Sequence, residues 1–181
     1  MMIRFWQQKQ FKQYLERNWQ RLYRLAYAWC HHPQTANDLL QETLSKTLRE
    51  HHRFENDKAL DVWLYKVMAN CWRDQCRRQR DVVDLEHAEL SSNANLETDQ
   101  YQRELKMNIH KAMARLSMTH RQIITLVDLE ELAYNEVADI LDIPTGTVMS
   151  RLCRARKQLK EYLQESGFHS PGKNTTVRRI K

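Results

Sequence analysis

Glycine and proline are almost absent from this chain, and that scarcity restricts its fold more than any other sequence feature. The 181 residues include three glycines and three prolines, whereas a β-sheet needs tight turns in which these residue types are favoured. Apolar residues instead recur three or four positions apart, which is the spacing of amphipathic helices. The sequence therefore predicts an all-α fold.

Several helices can be placed from these apolar stripes before the last third of the chain. The predicted segments are residues 19–30, 35–53 and 60–80, one that begins near Tyr101 and one that begins near Thr119. In the second segment, Leu40, Leu44 and Leu48 form the stripe that we expect to be buried. Residues 51–59 have no clear period and are predicted to form a loop.

Charge divides the chain into three blocks. Residues 1–80 carry 15 basic and 8 acidic side chains, residues 81–100 carry 6 acidic and none basic, and residues 101–181 carry 14 basic and 9 acidic. The acidic block has a broken apolar pattern typical of a linker, with room for a short helix near residues 83–90. The two basic blocks suit a polyanion such as nucleic acid, although a merely solvated surface would have a similar charge.

This division predicts two small helical domains joined by a flexible linker. The expected boundaries are 1–80 for the first domain, 81–101 for the acidic linker, 102–165 for the second domain and 166–181 for a basic flexible tail. The tail contains two of the three glycines and should fray.

The chain shows no sign of secretion or membrane insertion. Basic residues interrupt the N-terminus before an apolar run forms, as no signal peptide would allow, and no stretch approaches the roughly 20 apolar residues of a membrane span. The cysteines are scattered without a CxxC pair, at Cys30, Cys71, Cys76 and Cys153. A reducing cytoplasm is the expected compartment.

The last third of the chain carries the most specific pattern. Residues 134–141 form a short predicted helix, and the Asp-Ile-Pro run at 142–144 breaks it because proline cannot continue a helix. A second helix is expected at about 145–162, with Thr145 or Thr147 as its N-cap. Two helices joined by so short a turn are typical of a helix-turn-helix.

The second helix of this pair separates an apolar face from a polar one. Its expected buried stripe is Val148, Leu152, Ala155 and Leu159. The opposite side presents Ser150, Cys153, Arg154 and Lys157, with Arg151 and Met149 on its flanks. Arg154 is the best candidate to read a base, because a guanidinium can bond guanine O6 and N7 together. Arg156 and Lys160 lie off that face and are better placed to hold phosphates.

The helix predicted at 60–80 has a second cationic face. Its row is Lys66, Asn70, Arg73 and Arg77, extended by Arg80. Asparagine is an uncommon choice for a solvated helix surface, yet it can read a base. The nearby aromatic side chains of Phe54 and Trp63 could stack on unpaired bases. Taken alone, such a row is more often a solvated face.

Together these motifs resemble the bacterial sigma-70 family, in its short extracytoplasmic-function (ECF) branch. The first half contains DLLQE at 38–42, ALDVWLY at 59–65 and AN at 69–70. The second half contains YNEVA at 134–138 and PTGTVMSRLCRAR at 144–156. Four positions depart from the family pattern: Ser117 stands where the family commonly has proline, Glu131 where it often has glycine and Met149 where it often has lysine or arginine, while Asp74 adds an acid beside the basic row.

The resemblance implies a transcription initiation factor with no cofactor, no metal and no catalytic residue. Core RNA polymerase would be bound, at its β′ clamp helices, by Asp38, Leu39, Gln41 and Glu42. The melted −10 element would be engaged by Phe54, Asn56, Lys58, Trp63, Lys66, Asn70, Arg73 and Arg77. The duplex −35 element would be read by Thr147, Met149, Ser150, Arg151, Cys153, Arg154 and Lys157.

The same resemblance names further partners and structural roles. It implies that residues 1–80 are sigma region 2 and residues 102–165 sigma region 4, with the polymerase β flap and a possible anti-sigma factor as additional partners. The linker would run toward the active-centre channel of the polymerase.

Two other interpretations remain open from the sequence. An operator-binding regulator would use the same helix-turn-helix without associating with core polymerase. A metal protein could be built on Cys30, His31 and His32 with the pair at His51 and His52, although their spacing does not match a closed zinc site.

Overall fold

The computed structural model describes residues 2–49, 54, 56–81 and 100–166, and every regular element within these ranges is helical. The helices are α1 (Met2–Cys30), α2 (Pro33–Arg49), α3 (Asp57–Asp81), α4 (Gln100–Arg115), α5 (Met118–Ile124), α6 (Tyr134–Leu141) and α7 (Thr145–Glu165). A π-helical turn, Thr125–Leu129, continues α5. The all-α prediction is confirmed. The short helix predicted near residues 83–90 and the tail beyond residue 166 lie outside the described residues.

The first and third helices are longer than the sequence indicated. Helix α1 begins at Met2 rather than near residue 19, and it buries Tyr14, whose hydroxyl donates to the carboxylate of Asp61 on α3. Helix α3 begins at Asp57, so the predicted loop at 51–59 is wrong in its last residues. The side-chain oxygen of Asn56 accepts from the backbone N–H of Ala59 at 2.9 Å and caps that start.

Helices α1, α2 and α3 pack around one apolar core. Its fully buried members include Leu22, Ala26, Trp29, Leu39, Leu40, Leu64 and Met68. The predicted stripe of α2 is wrong at one position, because Leu48 is 51% exposed. The buried side of α2 is centred on Leu39, Leu40 and Thr43, and at about 100° per residue Leu48 is rotated away from it.

Helices α4 to α7 form the second half, and its core is continuous with the first. Val137, Ile140, Val148, Leu152 and Ala155 are buried where α6 and α7 meet α5. The two halves touch directly, since α1 packs on α5 and α3 packs on α6. Trp29 Nε1 donates to Thr125 Oγ1 at 2.7 Å across this contact.

The structure bears on the departures from the family pattern at Ser117 and Glu131. Ser117 is the N-cap of α5, and its hydroxyl accepts from the backbone N–H of His120 at 3.3 Å. Glu131 has a φ of 53°, which lies in the left-handed region that glycine adopts without strain. The backbone conformation at Glu131 is therefore one that favours glycine.

Candidate nucleic-acid interfaces

The helix-turn-helix is formed by α6 and α7. Helix α6 ends at the left-handed Asp142, with a φ of 56°, and α7 begins three residues later with the extended Pro144 as its N-cap. The predicted threonine cap is wrong, because no side chain caps α7. The carbonyl of Pro144 instead accepts the first helical bond, from the N–H of Val148 at 3.1 Å.

The two faces of α7 are separated largely as the sequence predicted. Val148, Leu152 and Ala155 are buried, while Leu159 is half-buried. The opposite face exposes Met149, Ser150, Cys153, Arg154 and Lys157, with Thr147 and Arg151 half-buried at its edges. All seven candidates for duplex contact therefore lie within the first four turns of one helix, whose N-terminal residues contact base edges in helix-turn-helix proteins.

Arg156 is held away from that face by an ion pair. Its Nε lies 3.1 Å from Asp128 Oδ2 in the π-helical turn, and this carboxylate raises the pKa of the guanidinium. Asp128 would therefore compete with a DNA phosphate for the Arg156 guanidinium, and the phosphate contact of Arg156 stays a prediction. Arg154 has no such neighbour among the ion pairs of residues 100–166.

The predicted cationic row of α3 exists, with Lys66, Asn70, Arg73 and Arg77 all exposed on one side. Arg73 donates to Asn70 Oδ1 at 3.2 Å, and its other terminal nitrogen donates to the carbonyl of Leu141 at 3.1 Å. Arg77 pairs with Asp74 at 3.0 Å. The row therefore has partners already, one of which belongs to the helix-turn-helix.

The remaining candidates for the −10 element lie at the start of α3. The rings of Phe54 and Trp63 are tilted by 48° with centroids 6.3 Å apart, and both are half-buried. Asn56 is exposed, but its oxygen is used in capping α3. Lys58 Nζ lies 2.8 Å from Glu136 Oε1 on α6. The structure thus brings these residues together near the start of α3, where Lys58 contacts the second half.

The candidates for core binding lie on α2 in two different environments. Asp38 and Gln41 are exposed, and Glu42 is half-buried with its carboxylate 3.0 Å from Lys46. Leu39 is fully buried, so it supports the helix from beneath and offers no surface for contact. The exposed Leu48 lies on the same open side as Gln41. Its four-residue spacing from Leu44 had placed it in the predicted buried stripe, so it was not considered as a contact residue.

Family comparisons match both halves. The model of sigma-70 region 2 matches residues 14–82, and that of sigma-70 region 4 matches residues 106–159. The ECF RNA polymerase sigma-E factor of Escherichia coli strain K12 is 32% identical over 139 residues, covering 70% of this chain and 73% of the relative. The chain belongs to the ECF branch of the sigma-70 family. It is therefore a promoter-directing transcription initiation factor, and its family is non-enzymatic. This membership does not favour the alternative of an operator-binding regulator.

This sigma factor is also similar to a second curated relative and to a solved structure. The ECF sigma factor SigE of Mycolicibacterium smegmatis is 29% identical over 148 residues, and the chain spans 57% of the length of that relative. The sigma factor RpoE of Bartonella quintana, solved in complex with the anti-sigma factor NepR, superposes with a TM-score of 0.69 at 27% identity, covering 86% of this chain and 98% of that one.

The sigma factor also contains a polar network between its halves that the sequence did not reveal. Arg21 on α1 lies 2.7 Å from Asp61 and 2.8 Å from Glu130, which follows the π-helical turn. Tyr65 on α3 donates to the same Glu130. Burial and this carboxylate raise the pKa of the Tyr65 hydroxyl, which stays protonated as a donor. No periodicity argument could link residues so far apart in sequence.

A cluster of weakly solvated polar groups lies at the end of α1, which packs on α5. Burial raises the pKa of the Cys30 thiol to about 12 and lowers that of His31 to about 4, with Arg121 of α5 adding to the effect on His31. Among the described residues, no group of three or more His, Cys, Asp or Glu side chains is arranged to hold a metal ion. His51 and His52 lie outside the described residues. No helix in the described ranges is long and apolar enough to cross a membrane.

Proposed function

We propose that the sigma factor divides promoter recognition between its two halves. In this proposal residues 1–80 act as region 2 on the −10 element and on core polymerase, and residues 102–165 act as region 4 on the −35 element. Residues 81–101 connect them through the polymerase, and residues 166–181 form a basic tail. The family models, which match residues 14–82 and 106–159, support this division.

The duplex −35 element is read by the exposed face of α7. The observation that carries this proposal is the orientation of α7, whose apolar stripe is buried while Ser150 and Arg154 face solvent. In a recognition helix the outward residues near the N-terminus reach base edges. Arg154 supplies a bidentate donor for guanine, and Lys157 supplies a phosphate contact one turn later.

The melted −10 element is held by α3. Asn70 and Arg73 offer amide and guanidinium groups that can bond base edges, and Lys66 and Arg77 can neutralise phosphates. The aromatic pair of Phe54 and Trp63 offers rings on which separated bases stack. Melting needs no catalytic group, only binding energy that favours flipped bases over stacked ones.

Core polymerase is bound by the open side of α2. Asp38, Gln41 and the partly exposed Glu42 supply polar contacts for the β′ clamp helices, and the β flap would bind the second half. An anti-sigma factor is a further possible partner, since the Bartonella quintana RpoE structure contains one. Because core polymerase acts on the chromosome, we place this chain in the cytoplasm, and we assign it no catalytic activity.

The proposal is tested by transcription in vitro. Purified chain and core polymerase are given a library of genomic fragments, and start sites are mapped by sequencing the transcripts. We expect defined start sites that share one sequence about 35 and another about 10 nucleotides upstream, as duplex and melted readout together would produce. Failure to bind core polymerase, or transcripts without shared upstream sequences, would refute the proposal.

A further inference from the structure

The first helix of the helix-turn-helix lies against the surface proposed to hold the −10 strand. Helix α6 packs on α3, and along its length and C-cap it carries three carboxylates, Glu136, Asp139 and Asp142, at three-residue intervals. Residues three apart on a helix lie near one another on its surface. An acidic edge of the second half therefore meets the cationic row of the first.

Individual contacts join the two surfaces. Lys58 pairs with Glu136 at 2.8 Å, and Arg73 donates to the carbonyl of Leu141 at 3.1 Å. That carbonyl belongs to the last turn of α6, where backbone carbonyls lack helical partners and the helix dipole is negative. Lys66 lines an open surface pocket of about 310 Å³ together with Asp139 and Asp142, so these two carboxylates add negative charge near it.

We propose that α6 is an internal competitor of the −10 strand: in the free chain its Glu136 carboxylate and its C-terminal carbonyl occupy Lys58 and Arg73 of α3, which would otherwise contact nucleic acid. The inference rests on the proposed function of α3. Lys58 and Arg73 cannot serve both partners at once, because each of them would have to leave α6 to contact nucleic acid. The −10 surface is thus partly occupied until the halves separate.

A second set of contacts, which includes no residue of α6 or of the cationic row, also holds the two halves together. Arg21 binds both Asp61 of its own half and Glu130 of the other, and Tyr65 donates to Glu130 as well. The side chain of Glu130 is only 9% exposed. Arg21 keeps Asp61 as a partner within its own half, so the Glu130 carboxylate is the group that ties this network to the second half, and Glu130 is the point at which closure can be released.

The test uses a matched pair of adjacent substitutions in the full-length chain. Glu130→Arg places a cation beside Arg21 and should separate the halves, whereas Glu131→Arg makes the same charge change at an exposed neighbour. The radius of gyration is measured by small-angle scattering, helix content by circular dichroism, and affinity for a fluorescein-labelled single-stranded oligonucleotide of random sequence by anisotropy.

We expect Glu130→Arg to raise the radius of gyration and to bind the single strand at least about tenfold more tightly than Glu131→Arg, since apparent affinity scales with the fraction of open molecules. Equal radii and equal affinities for the two variants would overturn the inference. If Glu130→Arg loses helix content, the milder pair Glu130→Gln and Glu131→Gln makes the same comparison.

A second set tests the carboxylates of α6 themselves. Glu136→Gln, Asp139→Asn and Asp142→Asn are combined, with asparagine chosen at Asp142 because it tolerates the left-handed backbone there. The control removes three exposed carboxylates elsewhere, with Glu16→Gln, Glu131→Gln and Glu161→Gln. We expect tighter single-strand binding from the α6 set than from the control, and no difference would overturn the competition.

A further variant distinguishes failure of the proposed strand-binding role of α3 from failure of closure through Glu130. Arg73→Ala added to Glu130→Arg should remove the gain in single-strand affinity without changing the radius of gyration. If Glu130→Arg opens the chain and affinity does not rise, α3 is not a strand-binding surface and the proposed function of that helix is wrong. If the chain does not open, closure through Glu130 is wrong and the assignment of α3 is unaffected.

Discussion

Two cationic helix faces of this sigma factor resemble each other in sequence and differ in their surroundings. The face of α7 around Ser150 and Arg154 is open to solvent, because α7 buries its apolar stripe within its own half. The face of α3 is covered in part by α6, which takes Lys58 and Arg73 as partners. A row of basic residues in the sequence thus predicts a cationic surface, but whether that surface can bind nucleic acid depends on what packs against it.

The largest expected effect concerns the open face. Arg154→Ala should cost about 1–3 kcal/mol in −35 duplex binding and relax base preference at one position, because a bidentate guanine contact is lost. Binding of the holoenzyme to promoter variants, measured by anisotropy, checks this. The single-strand affinity of the free chain should not change. Unaltered promoter selection would remove Arg154 from the reading face.

A smaller effect is expected on the surface of α2. Asp38→Ala combined with Gln41→Ala should weaken core polymerase binding by about 1–2 kcal/mol, the scale of one or two lost polar contacts. Titration of labelled core enzyme measures it, and −35 duplex binding by the isolated chain is the control. Loss of duplex binding instead would show that the roles of the two halves are assigned wrongly.

Acidification should weaken the packing of the end of α1 on α5. This effect should be smaller than the two above, because His31 keeps some exposure to solvent. Burial, Arg121 and His110 lower the pKa of His31 from 6.5 to about 4, and burial lowers that of His110 in the same direction. An exposed histidine binds a proton between these two values while the packed one does not, so the packed state loses stability as the pH falls from about 6.5 to 4.

This pH dependence is measured from thermal unfolding and the radius of gyration between pH 7 and pH 4. His31→Asn, which keeps a residue that tolerates the φ of 54° at this position, should show a shallower dependence than the natural chain. An identical dependence in both chains would mean that His31 does not contribute.

The smallest expected effect belongs to the ion pair beside the open face. Arg156→Ala should cost about 0.5 kcal/mol of folding stability, because its partner Asp128 is near the surface and such pairs contribute little. Promoter preference should be unchanged, in contrast to Arg154→Ala. A change in base preference would place Arg156 among the reading residues despite its partner.

Most of the fold could be read from local patterns. The bounds of α6, the start of α7 and its buried stripe followed from helical spacing and one proline. The N-cap of α7 was misassigned because Pro144 itself supplies the extended backbone that a threonine was expected to provide. The exposure of Leu48 was missed because each step of four residues advances by about 40° around a helix, so two steps from Leu40 turn Leu48 away from the buried side.

The sequence predicted which residues form the candidate sites better than it predicted which of them are already bound to other parts of the protein. Arg154 and Arg156 are two positions apart, and helical angles alone assigned them different roles, which stay predictions. Nothing in the sequence indicated that Glu130 would meet Arg21 and Tyr65, since the three residues lie on different elements. Asn56 was expected to contact nucleic acid, and its position just before Asp57 was the overlooked signal for a helix cap.

By itself, the sequence determined the helices, their apolar faces and the family to which they belong, because these depend on spacings of three or four residues and on short motifs. Only the tertiary structure decided which cationic surface stays open. That outcome depends on charges and hydrogen bonds between residues far apart in the chain, such as Arg21 with Glu130 and Lys58 with Glu136, and these form only after the two halves have packed together.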